Sequence, residues 1–247
     1  MHDSDDVLSI LVSWSSRWRG PISLVLITAE HQSPSLIARL QSLKSHPSLS
    51  KLWLHLVPSS KQYNSAQLLN LARFFAPTRS IMLWPASPAA VILQVYDALI
   101  SQIGQPIQKP LLLSPFPASV FSIPSLTPVV LSRDYRLWCS ERAFLGSRSS
   151  DWDECVWFLW LEEYGLESLN VTSGSIVESK IRDDNRTVDR FVQRLSAKHR
   201  AETCEVTLRR LSGPDAPRPS RAVKKKMQWV KGFCRQTENN IKNAEGE

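Results

Sequence analysis

The first third of the chain alternates between apolar runs of strand length and amphipathic stretches of helix length. Residues 22–28, 52–57 and 80–84 are nearly continuous apolar runs, which are typical of strands covered on both faces. In residues 33–46 and 65–75 the apolar positions recur at helical spacing instead. A strand, a helix and a strand in succession predict parallel pairing with a right-handed crossover. The predicted fold class is therefore α/β, with a mostly parallel central sheet flanked by helices.

The rest of the chain continues this alternation less regularly. Residues 8–18 are interpreted as a short strand or an apolar lead-in. Gly165 is predicted to end a helix that begins near Asp151, because glycine readily adopts the left-handed conformation that closes many helices. Further strands are predicted at 110–113 and 128–131, and further helices at 89–103, 151–164, 183–211 and 220–243.

The positive charge of the chain is concentrated near its end. The formal net charge is +7 over 247 residues, and residues 216–237 contain seven basic side chains and no acidic one. We expect one domain over residues 1–213, followed by a Pro-rich linker and a basic helical tail over 214–247. A basic run of this kind is typical of a solvated helix face. Binding of an anionic partner, either RNA or an anionic membrane, is the alternative interpretation of 216–237.

The cysteines and histidines do not form the close pairs that a zinc site needs. Isolated buried thiols are slightly favoured over one or two disulfides of a secretory protein. Residues 1–6 are acidic and no window of about 18 apolar residues occurs, so we expect neither a signal peptide nor a membrane anchor. The cysteines are Cys139, Cys155, Cys204 and Cys234, and the internal histidines His31, His46, His55 and His199 are predicted on different elements.

The predicted helix at 151–164 opens with three acidic residues, Asp151, Asp153 and Glu154. Acidic side chains in a first turn cap a helix and complement its dipole. The same side chains are candidates for a general base that takes the proton from an attacking hydroxyl. The residues alone leave both interpretations open.

Two segments of the chain carry a resemblance to a known family. The first is Trp18-x-Gly20-Pro21-Ile22-Ser23, and the second runs from Tyr63 to Ala72 with Leu68-Leu69-Asn70-Leu71 at its centre. Together with the apolar strand that follows, they resemble the LARGE-type glycosyltransferases, inverting enzymes that build glycans containing glucuronic acid and xylose, including a fungal branch. The resemblance extends over about residues 18–165 and leaves the tail unmatched.

The resemblance implies a GT-A-like nucleotide-diphospho-sugar transferase fold, a UDP-sugar donor, a glycan acceptor, Mn²⁺, and a Golgi or secretory location. Asn70 matches an asparagine of the family's nucleotide-side helix. The family's metal-binding Asp-x-Asp falls on Pro85-Ala86-Ser87, where no carboxylate is present and Ser87 is at best a weak neutral ligand. No metal ligand is therefore predicted. Metal-free transfer needs cations at the diphosphate, and Arg73, Arg79 and Arg133 are the candidates.

Three functional hypotheses follow from these observations. The first is an inverting glycosyltransferase that uses Asp153 or Glu154 as base, with Asp151 beside them. The second is a catalytically inactive relative that keeps the fold as a binding or scaffold protein. The third is an interaction protein whose segment 216–237 binds an anionic partner.

Overall fold

The structure is a computed structural model in which two compact units are distinguished. Unit 1 comprises Met1–Ala143 and Leu166–Lys180, and unit 2 comprises Phe144–Gly165 and Ile181–Glu247. The boundary expected near residue 213 lies outside the described residues and stays a prediction. The residues described are 4–28, 34, 37–38, 40–41, 47–58, 63, 65–85, 93–102, 107–114, 126–136, 138, 148–170, 186–212 and 220–245.

Unit 1 contains helices and strands in alternation, as the α/β prediction requires. A short 3₁₀ turn at Pro47–Leu49 precedes the second strand. The helices are α1 (Ser4–Arg17), α2 (Ser65–Phe74) and α3 (Leu93–Gln102), and the strands are β1 (Ile22–Thr28), β2 (Leu52–Pro58), β3 (Ser80–Leu83), β4 (Leu111–Ser114), β5 (Val129–Ser132) and β6 (Glu167–Asn170).

The strands of unit 1 form two sheets. β1 and β2 pair in parallel over their whole length, from Ile22 opposite Leu52 to Thr28 opposite Pro58, as the first βαβ unit predicts. The other four strands are ordered β3-β5-β4-β6, with β5 antiparallel to β3 and β4, and β6 parallel to β4.

The prediction of a mostly parallel central sheet is wrong for these residues, because the four-stranded sheet is mixed. Parallel neighbours need a crossover of a dozen or more residues, usually a helix, whereas antiparallel neighbours can be joined directly. No helix is predicted between β4 and β5, and this was a signal of antiparallel pairing. In addition, β3 pairs with β5 and not with β2.

Two elements at the margins of unit 1 were not predicted. Residues 4–17 form a helix and not a strand, and Leu11 and Ser15, about one helical turn apart, are buried on one side of it. β6 was missed because it is only four residues long and has a single large apolar side chain, Leu169. In neither segment do the apolar positions define one periodicity.

The core of unit 1 lies on the four-stranded sheet. Leu99 of α3 packs with one residue from each of three strands, Leu113, Val130 and Leu169. β4 and β5 are buried along most of their length, which accounts for their continuous apolar sequences.

The chain enters β1 through a tightly packed turn. Trp18 Nε1 donates a hydrogen bond to the Pro21 carbonyl oxygen at 3.2 Å, and the Trp18 ring meets the Tyr96 ring edge to face at 4.9 Å between centroids. A Cβ atom at Gly20 would lie 2.6 Å from Tyr96 Cε2 and 2.9 Å from Trp18 Nε1. Only glycine fits at this position without a displacement of one of the two rings.

Unit 2 consists of three helices, α4 (Arg148–Glu163), α5 (Arg186–Ser212) and α6 (Arg221–Glu245). α4 ends just before Gly165, near the predicted position, but the left-handed residue that closes it is Tyr164, with a φ angle of +59°. The Tyr164 N–H donates to the Leu161 carbonyl oxygen, and the N–H of Gly165, whose φ angle is +101°, donates to the Trp160 carbonyl oxygen. Phe233 of α6 contacts Trp157 of α4, with a distance of 6.0 Å between the ring centroids. It is also stacked on Trp229 of its own helix at 5.0 Å. Among the described residues, no helix is long and apolar enough to cross a membrane.

The cysteines of unit 2 are cross-linked, so the slight preference for isolated thiols was wrong. Cys204 of α5 and Cys234 of α6 form a disulfide between positions 30 residues apart. Cys155 of α4 is also in a disulfide. The long sequence separation explains why spacing gave no sign of this pairing.

We expect Gly20→Ala to destabilise the protein by about 1–3 kcal/mol, because the new methyl group overpacks the Trp18–Tyr96 contact. Gly232→Ala is the matched control, since a Cβ at this exposed position of α6 meets nothing within 4 Å. The control should gain about 0.5–1 kcal/mol from helix propensity. Urea unfolding of both variants measures the difference, and equal stabilities would contradict the packing argument.

We expect the double variant Cys204→Ala/Cys234→Ala to lower the free energy of unfolding of unit 2 by about 3–4 kcal/mol. The cross-link closes a loop of 30 residues, whose conformational entropy in the unfolded chain it restricts. The variant is preferable to a reducing agent, which would also open the disulfide of Cys155. Urea unfolding followed by tryptophan fluorescence measures the loss. A loss below about 1 kcal/mol would mean that side-chain packing alone holds α5 to α6.

Candidate functional site

The predicted site residues fall in different units of the structure. Asn70, Arg73 and Arg133 belong to unit 1, whereas Asp153 and Glu154 belong to unit 2. Ser87 and the side chain of Asp151 lie outside the described residues.

Arg73 is the most buried charged residue of the predicted set, with 2% of its surface exposed. Its Nε donates to the Arg133 carbonyl oxygen at 2.8 Å, and its Nη2 donates to the Tyr135 carbonyl oxygen. The guanidinium also lies 3.9 Å from the centroid of the Trp138 ring. Burial lowers the pKa of Arg73, and the charge of Asp134 opposes this effect. The side chain thus ties the last turn of α2 to the segment that follows β5.

Arg133 and Arg79 lie beside this buried arginine. Arg133 Nη1 donates to the Ala76 carbonyl oxygen at 3.1 Å, just beyond the C-terminus of α2, and Nε is 3.2 Å from Asp134 Oδ1. The Arg133 N–H donates to the Arg79 carbonyl oxygen, so the two arginines are neighbours across the β3–β5 pair. Cations at this place complement the negative end of the α2 dipole. About a third of the Arg133 side chain is exposed, and Arg79 is an exposed residue, so an anion in solvent can reach both.

The predicted nucleotide-binding residues do not all lie at one end of the sheet. Arg79 precedes β3 and Pro85 follows it, so Arg79 and Pro85 are at opposite ends of a strand that spans about 10 Å. Asn70 is half-buried on α2, one turn before Arg73. We call the second half of α2, the residues up to Arg79 and the start of the segment after β5 the α2–β5 region. It contains Asn70, Arg73, Arg79 and Arg133.

Nothing among the described residues fits the Mn²⁺ site that the resemblance implies. Pro85, the first residue at the position of the Asp-x-Asp turn, is buried and has no ligand atom in its side chain. Within the described part of the chain, no group of three or more His, Cys, Asp or Glu residues could hold a metal ion.

The acidic residues of α4 differ in their surroundings. Glu154 is 4% exposed, and its Oε1 is 3.4 Å from Nε of Arg200 on α5. This ion pair joins α4 to α5, and removing one partner of a buried pair leaves the other charge uncompensated. Asp153, the next residue towards the N-terminus, is half-buried.

A polar cluster on the β1–β2 sheet was not recognised in the sequence. Ser23 Oγ donates to the Ala72 carbonyl oxygen at 2.7 Å and lies 3.1 Å from His55 Nε2. The single hydroxyl proton of Ser23 is used in the hydrogen bond to the Ala72 carbonyl oxygen. In the bond to His55, Ser23 Oγ is therefore the acceptor and the imidazole donates its Nε2–H. The imidazole is stacked on Phe75 at 4.8 Å, and burial lowers its pKa. Because the imidazole donates this bond, the pair is not arranged for removal of a proton from Ser23.

The Ser23–His55 cluster depends on contacts that are distant in sequence. The separation is 32 residues from Ser23 to His55 and 49 from Ser23 to Ala72. The strand alternation places both side chains on one face once the register is known, but the register itself comes from the pairing of β1 with β2.

Comparison with known proteins yields one weak structural likeness. No family model matches the chain, and no curated protein matches it. A solved structure, the mannosyltransferase PcManGT from Pyrobaculum calidifontis in complex with GDP-Man and Mn²⁺, is similar with a TM-score of 0.44 and 12% identity, over 99% of this chain and 71% of that chain. At this TM-score the likeness assigns neither a fold nor an activity to the chain.

We expect the stability of the protein to fall on acidification through the titration of His55. Its pKa in the folded protein is below the ordinary value of 6.5, so the unfolded chain takes up a proton at higher pH than the folded chain. This contribution is complete above pH 6.5 and is lost as the pH falls through the folded pKa.

The measurement is urea unfolding between about pH 7.5 and 5, together with an NMR titration of the imidazole. His55→Gln should remove this part of the pH dependence. A folded pKa at or above the ordinary value, or an unchanged pH dependence in the variant, would contradict the assignment.

Proposed function

We propose that the chain is a glycosyltransferase-like protein that transfers a sugar from a UDP-sugar donor to a glycan acceptor with inversion and without an Asp-x-Asp metal site. One observation carries this proposal. The two sequence segments that resemble the LARGE-type family touch each other, since Ser23 of the first donates a hydrogen bond to Ala72 of the second at 2.7 Å. The second segment is the helix that carries Asn70 and continues to Arg73.

The α2–β5 region supports binding of a diphosphate by arginine. The leaving diphosphate develops negative charge during transfer, and fixed cations stabilise that charge. Arg133 and Arg79 are the partly or fully exposed cations in this region, and they are assigned to the phosphates. Arg73 is assigned a positioning role, because its guanidinium holds the carbonyl oxygen of Arg133.

Inversion requires a base that takes the proton of the acceptor hydroxyl as its oxygen attacks the anomeric carbon and the diphosphate leaves. Of the acidic residues of α4, Asp153 is the better candidate. The Glu154 carboxylate is 4% exposed and its Oε1 is 3.4 Å from Arg200 Nε, whereas Asp153 is half-buried and so more accessible to an acceptor hydroxyl. In this proposal Glu154 fixes the start of α4, and Asp153 accepts the proton.

A second candidate function is a catalytically inactive relative that binds a ligand or partner through the same fold. The buried Pro85 at the position of the first metal-binding aspartate favours it. It differs from the first proposal in predicting no turnover of any nucleotide sugar, with or without a divalent cation.

We expect calorimetric titration with UDP to show binding that Mn²⁺ does not strengthen. Arg133→Met should weaken this binding at least about tenfold through loss of a cation at the diphosphate. Arg209→Met is the matched control, because Arg209 is an exposed arginine of unit 2 paired with Glu205. Absence of UDP binding would overturn the transferase proposal, and binding strengthened by Mn²⁺ would overturn its metal-free form.

We expect Asp153→Asn to abolish sugar transfer while UDP affinity is kept, because the amide cannot accept the proton. Glu205→Gln, which removes an exposed carboxylate of unit 2, is the control and should be as active as the wild type. The measurement is product formation in a screen of UDP-sugar donors. Full activity of Asp153→Asn would remove Asp153 from the mechanism.

A further inference from the structure

The last helix has two chemically different sides. The side that packs within unit 2 carries Val230, Phe233, Cys234 and Thr237, all of which are buried. The opposite side is exposed, and we call its five basic residues the cationic face of α6. They are Arg221, Lys224, Lys225, Lys231 and Arg235.

The cationic face is regular and extended. The exposed positions of this side follow the helical repeat, at 221, 224, 225, 228, 231, 232 and 235. Five of the seven are basic, and the other two, Gln228 and Gly232, are neutral. At 1.5 Å per residue, Arg221 and Arg235 are about 21 Å apart along the axis. No acidic residue occurs in α6 before Glu238. The face is therefore a linear array of like charges.

Internal partners do not neutralise this array. In the part of the chain that the structure describes, none of the five side chains forms a salt bridge. Lys226 is different, since its Nζ lies 4.4 Å above the Tyr164 ring. Like charges three or four residues apart repel each other along a helix, and an external polyanion would relieve this repulsion.

The array is held in place before any partner binds. The Cys204–Cys234 disulfide attaches the middle of α6 to α5, and Phe233 is stacked on Trp229 on the inner side. A preorganised surface loses less conformational entropy on binding than a flexible basic tail. The outward direction of the cations is fixed by the same packing.

Two classes of polyanion, nucleic acids and anionic membranes, fit the surroundings of the cationic face poorly. Nucleic acids are unfavoured because the aromatic rings of the helix pack on each other and are not available for stacking with bases, and because the disulfide indicates an oxidising compartment. A membrane surface is unfavoured because an interfacial helix inserts its apolar side, and that side of α6 is covered within unit 2.

We propose that the cationic face of α6 binds a linear anionic polysaccharide, whose carboxylate or sulfate groups pair with the five basic side chains. A linear polymer with a charge on each sugar or disaccharide fits an extended array better than a compact anion does. This inference does not depend on the proposed transferase activity, because the residues of α6 take no part in it.

The test is calorimetric titration of the full chain with a heparin fragment of defined length at several salt concentrations. The face variant is Lys224→Gln/Lys225→Gln/Lys231→Gln/Arg235→Gln. The control variant, Lys109→Gln/Lys198→Gln/Arg209→Gln/Arg210→Gln, removes the same number of exposed cations elsewhere. Circular dichroism verifies that both variants keep the helical content of the wild type.

We expect the face variant to lose at least about tenfold in affinity and to show a weaker dependence on salt, because fewer ions are released on binding. The control variant should stay within about threefold of the wild type. The proposal is overturned if heparin does not bind at low salt or if both variants lose equally. It is also overturned if oligouridine or phosphatidylserine vesicles bind the face more tightly than heparin.

Discussion

A buried guanidinium joins the two sheets of unit 1. Arg73 is on α2, the helix that packs against β1, and it donates hydrogen bonds to two carbonyl oxygens in the segment after β5. A charge with so little solvent exposure is tolerated only when hydrogen bonds replace its hydration, and the Trp138 ring covers another part of it. This side chain therefore links the helix that covers the parallel pair to the end of a strand of the mixed sheet.

Because a buried charge must be hydrogen-bonded or paired, a charged residue in this chain can have a structural role instead of a role in a binding site. Arg73 is a candidate because metal-free transfer needs a cation at the diphosphate, and Glu154 is a candidate base because it is an acidic residue in the first turn of a predicted helix. The structure buries both and pairs each with groups of a neighbouring element. A buried, paired charge contributes to specific packing, and its chemistry is then partly committed to that role. Exposed members of the same set, such as Arg79, keep their full capacity to meet a ligand.

The sequence predicted local structure better than it predicted pairing. β1, β2 and β5 were found because each is a continuous apolar run, and α6 was found because its apolar residues recur at helical spacing. The mixed pairing of the four-stranded sheet was not predicted, because β3 pairs with β5, which lies about fifty residues further along the chain. The hydrogen bonds of Arg133 and the Ser23–His55 cluster depend on these pairings, so no local pattern could have revealed them. The disulfide between Cys204 and Cys234 has the same origin.

The sign of the charges on α6 is not explained by the fold. Packing of the helix in unit 2 requires apolar residues on one side, and solubility requires only that the other side be polar. A mixture of acidic and basic residues would satisfy that condition and would add favourable pairs four residues apart, as Glu205 and Arg209 do on α5. Up to Arg235 every charged residue on the exposed side of α6 is a cation, so this side lacks the stabilisation by opposite charges and has electrostatic repulsion instead. A preference that costs helix stability and serves no internal contact indicates a requirement from outside the molecule.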